Sequence, residues 1–163
     1  MADFVFNIAK GKVAQYCENV DTGSPANSRL KVVPIETSGL ETDATLKDYD
    51  DLSSLLAGTS NEQTTMGRKT LTSTDVTITL NDTNDRRDID LSDITWTAAT
   101  GNAISAVVVV YCPDGVTPGA DSTFIPLTKH DFVVTPDGSD VTAQIVCRNT
   151  GPLIDSSEAN FLW

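Results

Sequence analysis

A chain of 163 residues with 11 Lys and Arg against 23 Asp and Glu has a net charge of −12; 39% of it is apolar and 6% aromatic. A single domain of this size removes roughly 68–70% of its unfolded surface from water, so the chain is expected to fold around Val, Ile and Leu rather than stay disordered. The negative balance argues against nucleic-acid binding, which needs cations to displace the counterions condensed on phosphates, and equally against anionic membrane surfaces.

At the N-terminus Phe4, Phe6 and Ile8 alternate with Val5 and Asn7, an extended pattern. Two readings stand: a first core strand, or an arm over residues 1–11 that adds to a neighbour's sheet edge; intramolecular strands are the commoner case. After Gly11, Lys12 to Val20 is expected as a strand with Val13, Gln15 and Cys17 on one face, followed by a loop from Asp21 to Ser28. Leu30 to Ile35 is a strand that Pro34 places at an edge or near a strand end. Ser38-Gly39 turns the chain into one helix from Ala44 to Ala57, capped by Thr42 or Asp43 and stopped by Gly58. Its stripe of Leu46, Tyr49, Leu52 and Leu56 is wide enough to face a core, with Asp48, Asp50 and Asp51 turned away.

Ser60 to Thr65 is polar loop, Arg68 to Leu71 a short strand and Thr72 to Asp75 a turn. Val76, Ile78 and Leu80 alternate with threonines as a half-buried strand, and beyond a loop at Asn81 to Asp85 the alternation resumes with Ile89 and Leu91 inward. Ala103 to Tyr111, almost wholly apolar and β-branched, is a central strand buried on both faces. Pro113-Asp114-Gly115 and Pro118-Gly119 mark a loop. Phe124 to Leu127 and Asp131 to Thr135 read as two strands, and Pro136 to Ser139 turns into Val141 to Cys147, where Val141, Ala143, Ile145 and Cys147 share a face. A tail over 148–163 ends in Phe161-Leu162-Trp163. The sum is one mainly β domain over residues 1–163: a β-sandwich or small barrel of short, mostly antiparallel strands with one helix covering an open side.

The residues that carry chemistry elsewhere form no known constellation here. Cys17, Cys112 and Cys147 make no CxxC, and their odd number suits a reducing cytoplasm. There is no basic segment followed by a long apolar stretch at the N-terminus, so no secretory signal is expected, and the longest apolar run, Ala106 to Cys112, is far too short to span a bilayer. Asp82, Asp85, Asp88, Asp90 and Asp93 offer hard oxygen ligands, but without the EF-hand order and with Arg86 and Arg87 among them; a solvated, self-paired loop is expected. His130, the single histidine, has Asp131 on the opposite strand face and no local nucleophile, and no glycine-rich phosphate cradle is present. Neither a catalytic residue, a metal nor a cofactor is expected, and the protein is read as a non-enzyme. The apolar terminus Phe161, Leu162 and Trp163 either folds back on its own core or docks in a neighbour; with Phe4, Phe6 and Ile8 these residues are the candidate interface.

Four stretches carry a likeness to known proteins: Asn81 to Gly101 (NDTNDRRDIDLSDITWTAATG), Phe4 to Gly11 (FVFNIAKG), Ile125 to Phe132 (IPLTKHDF) running into Val134 to Gln144 (VTPDGSDVTAQ), and Ser38 to Leu46 (SGLETDATL). In these the chain resembles small virion proteins of tailed bacteriophages encoded beside the major capsid protein; the likeness ends at Gln144. The resemblance implies a capsid decoration, or cement, protein that binds the major capsid protein on the head exterior, as a homo-oligomer or as lattice copies, after synthesis in the host bacterial cytoplasm. The acidic balance agrees with the outer surface rather than the DNA-filled lumen. A tail, connector or head-fibre component is the alternative within the virion. A carbohydrate-binding surface module, the alternative from another class, would need an aromatic platform from Trp96, Tyr111 and Tyr16.

Overall fold

The computed structural model describes residues 2–84, 86–114, 119–150 and 161–162, and the side chains of all of these except 147–150, 161 and 162. The strands are β1 (Phe4–Val5), β2 (Arg29–Glu36), β3 (Lys69–Leu71), β4 (Val76–Asn81), β5 (Arg86–Trp96), β6 (Ile104–Cys112), β7 (Ile125–Val134), β8 (Val141–Thr150) and β9 (Phe161–Leu162); the helices are α1 (Val13–Thr22), α2 (Asp43–Leu46) and α3 (Leu52–Ala57). Two antiparallel sheets result, with strand orders β1-β7-β6-β2-β3 and β4-β5-β8-β9. They form a sandwich-like, mainly β structure and not a closed barrel.

β6 is the centre, because every one of its residues is buried. Its two faces serve two cores. Val107, Val109 and Tyr111 join Leu30, Val32 and Leu127 against Ile89, Leu91, Ile94, Trp96, Val141, Ala143 and Ile145 of the second sheet. Ala106, Val108, Val110 and Cys112 pack the other way, with Val33, Ile35, Phe4, Phe6 and Phe124, under Leu46, Leu52 and Leu55. The order is therefore helical cover, five-stranded sheet, four-stranded sheet.

Six sequence expectations change. Lys12 to Val20 is not a strand: Val13, Cys17 and Val20 lie at i, i+4 and i+7 and all face the inter-sheet core from α1. Gly23, at φ +65°, closes that helix in the left-handed conformation that glycine adopts without a Cβ penalty. The covering helix is split into α2 and α3, because Asp51 takes extended backbone and its carboxylate accepts the Ser54 N–H at 2.8 Å, opening a new helix. Leu55, rather than Leu56, is buried there beside Leu46 and Leu52. Gly58 does not end α3 in a left-handed conformation; a Cβ there would stand 2.6 Å from both Glu41 Oε2 and Tyr49 Oη. The two strands expected over 124–135 are one, β7, whose register shifts twice against β6. Leu80 keeps the inward parity of β4 but is 62% exposed at the strand end.

The expectation that Pro34 stands near a strand end holds. Pro34 lies beyond the reach of β3, which pairs only with Leu30 to Val32; on that side its carbonyl accepts the Gln63 N–H, so the missing proline N–H costs no ladder bond. β5 shifts register between Leu91 and Ile94, and this bulge is why Ile94 and Trp96 face inward although Leu91 lies an odd number of residues before Ile94. The Pro136 to Ser139 turn carries the chain from one sheet to the other, not round a hairpin.

Candidate functional site

Phe4 and Phe6 are 6% and 0% exposed, ring centroids 5.1 Å apart, in the core between the five-stranded sheet and its helical cover. Ile8 leaves the alternation, because Asn7–Ala9 forms a single 3₁₀ turn, and is 39% exposed. Phe161 and Leu162 form β9 against Asn149 and Arg148 of β8, while Trp163 lies outside the described residues. The structure thus ties the N-terminal strip and residues 161–162 to the edges of different sheets.

The N-terminal strip is held by a charged cluster that the sequence reading missed. Lys129, on β7 directly opposite Phe4, has a side chain fully removed from water. Its ammonium donates to the Ala2 carbonyl at 3.2 Å, to Asp43 Oδ1 at 3.2 Å and to Asp131 Oδ1, which uses all three protons. Asp43 Oδ2 accepts the Ala2 N–H at 2.8 Å, and Asp3 Oδ1 accepts the Asp131 N–H at 2.7 Å. Backbone bonds continue the grip, Phe6 N–H to the Leu127 carbonyl at 3.0 Å and Asn7 N–H to the Lys47 carbonyl at 2.9 Å. The ammonium groups of Lys47 and Lys129 stand 5.1 and 5.6 Å from the centroid of the Phe4 ring. Burial pushes the Asp43 carboxyl up, but the Ala2 N–H and Lys129 together outweigh it and hold the group below its ordinary value. The signal available in sequence was a lysine inside an apolar strand with an aspartate two positions on, on the same strand face.

His130 lies beside this cluster, with Nδ1 3.5 Å from Asp3 Oδ2 and Nε2 2.9 Å from Thr128 Oγ1. Burial drives its pKa down, against the pull of Asp3. Cys17 and Cys112 are buried thiols, the latter pushed up to about 11 by burial. Of the acidic loop, Asp88 pairs with Arg86 at 2.9 Å, Asp93 accepts the Gln144 amide at 3.0 Å, and Asp85 lies outside the described residues. Among the described residues no three His, Cys, Asp or Glu groups gather as metal ligands. Trp96 and Tyr111 are core residues, 1% and 3% exposed, and Tyr16 stacks on Tyr111 at 4.6 Å, so the three form no exposed platform.

A second polar knot, also missed, joins loops to the sheet. Arg68 forks onto Glu62 (2.8 and 2.6 Å) and onto Asp121 (2.6 and 2.8 Å), and these hydrogen bonds raise the guanidinium pKa and lower that of Asp121. Exposed aspartates lie on both outer layers, Asp90 and Asp93 on β5, Asp82 in the β4–β5 turn, and Asp48 and Asp50 on the helical cover, beside exposed Leu80, Val133 and Val146. No helix among the described residues is long and apolar enough to cross a membrane. Comparison of the chain with protein-family models, with curated proteins and with solved structures gives no match.

Proposed function

We propose that this chain is a virion structural protein that binds the exterior of a tailed-phage head and cements contacts between capsomers, with the major capsid protein as its partner. The observation that carries the reading is the charge layout: exposed aspartates stand on both outer layers of the sandwich, while His130, Lys129 and Cys112 are packed inside. Such a surface is repelled by packaged DNA and suits the outside of a shell. The resemblance to phage virion proteins supports the same reading, and its stretches fall on β1, on the β4–β5 turn and β5, and on β7 running into β8. The work of such a protein is buried area, about 1,600 Å² for a standard contact, repeated over symmetry-related positions.

The test is the copy number of this chain in purified virions, relative to the major capsid protein. A ratio near one, or a simple fraction of it, is expected. A handful of copies would move the protein to the tail, the connector or a head fibre, and complete absence would overturn the structural role.

A further inference from the structure

We propose that residues 2–9 are an exchangeable arm, and that the edge of β7 which holds them is a receptor for the same segment of a second copy of this chain. The contacts are those of a peptide in a groove. Alternate side chains, Phe4 and Phe6, fill an apolar slot. Phe4 and Val5 add a two-residue strand opposite Lys129 and Thr128, and the backbone bond from Phe6 to Leu127 extends it. At the far end Lys129, Asp43 and the Asp131 N–H grip Ala2 and Asp3. The groups that grip residues 2–7 (Lys47, Asp48 and Leu127 to Asp131, with Asp43) are fixed to β7 or the helical cover, so they receive the segment equally well whichever copy supplies it.

The connection to the rest of the chain is weak by comparison. Lys10, Gly11 and Lys12 are all exposed, Gly11 sits at φ +73°, and Lys12 supplies no side-chain cap to α1. The Lys12 N–H donates to the Ala9 carbonyl at 2.9 Å across this hinge, and on exchange Phe4, Phe6 and Ala9 of one copy take the buried places of the same residues of the other. The hinge's short reach gives the chain's own arm an effective concentration on the order of millimolar, so exchange grows as the protein approaches that concentration or is held at lattice spacing. The proposal stands independently of the virion reading.

Val5 and Thr128 face each other at a pair that lies between hydrogen-bonded neighbours, the closer type of cross-strand pair and one that accepts a disulfide. The experiment mixes two full-length variants, Val5→Cys and Thr128→Cys, at high concentration under mild oxidation, with linkages identified by mass spectrometry. A mixture of Val5→Cys with Thr79→Cys, on the exposed outer face of β4, measures random collision. Exchange predicts a 5–128 crosslinked heterodimer in several-fold excess over the 5–79 product. A 5–128 yield no higher than the collision control overturns the proposal, provided that the double variant Val5→Cys, Thr128→Cys closes within its own chain. If Thr128→Cys does not fold or the double variant does not close, light scattering of the wild-type chain decides. A dimer fraction that grows with concentration and is lost on substituting Phe4→Ser supports exchange, and a monomer at every concentration overturns it.

Discussion

Lys129 and Asp43 are 86 positions apart in the chain and meet at 3.2 Å, where they close on Ala2 from both sides. The ammonium is wholly buried whereas the Asp43 and Asp131 side chains are 23% and 32% exposed, so water reaches the anions but not the cation. Such an arrangement stabilises only while the cation keeps its acceptors.

Replacing Lys129 by Met tests that arrangement. The thioether fills much of the same space, but Asp43, Asp131 and the Ala2 carbonyl lose their donor together. Removing one partner of a buried pair costs about 3–5 kcal/mol, and because the anions rehydrate we expect about 2–3 kcal/mol here. Denaturant unfolding monitored by tryptophan fluorescence reads the loss. A variant as stable as the wild type would mean that the cluster contributes nothing net.

Acid should loosen the fold in two stages. The folded-state pKa of His130 lies below its ordinary 6.5, so the unfolded chain takes up that proton first. Stability from this group is fully present above pH 6.5 and falls as pH drops from 6.5 towards the folded pKa. Asp43 and Asp121, both held below 3.8, add a second loss that begins near that value and continues as pH falls through their folded pKa values. Melting temperatures measured across this range should therefore fall in both windows, and His130→Gln should flatten the upper one alone. An unchanged slope in that variant would remove His130 from the account.

Arg68→Lys is a harsher change than its charge suggests. The guanidinium meets Glu62 and Asp121 with two hydrogen bonds each, and an ammonium cannot present that planar fork to both carboxylates. We expect a loss of about 2 kcal/mol, because Glu62 is 14% exposed and cannot recover its partners from water. Equal stability of the two proteins would show that charge alone matters at this knot.

How much was legible in the sequence follows the range of the interactions. β6 announced itself through an unbroken apolar run, and Ile89 with Leu91 through strict alternation, because burial of one or two faces writes itself into neighbouring residues. Helix α1 was misread since Val13, Gln15 and Cys17 fit a period of two while Val13, Cys17 and Val20 fit 3.6; only the core they meet decides. The break between α2 and α3 turns on one capping bond at Asp51, a local competitor to helix continuation that hydrophobic spacing does not register. The Lys129 cluster joins residues 2–3, 43 and 129–131, and that juxtaposition depends on strand order, which local patterns do not encode.

Trp96 offers the sharpest test of the inter-sheet core. It is 1% exposed, its Nε1–H donates to the Gly67 carbonyl at 2.9 Å, and its ring lies 6.5 Å from that of Phe132, so it joins β5, β7 and the loop before β3. It points inward only because of the bulge between Leu91 and Ile94. Trp96→Ala should cost about 3–5 kcal/mol through the lost burial and the cavity left behind, and it also leaves the Gly67 carbonyl without its donor. Val133→Thr, at a residue 82% exposed on β7, should stay within about 0.5 kcal/mol of the wild type. Chemical denaturation of the two variants beside the wild type separates the cases. A mild effect at Trp96 would mean that the register of β5 beyond the bulge, and with it the packing of the two sheets, differs from the one described.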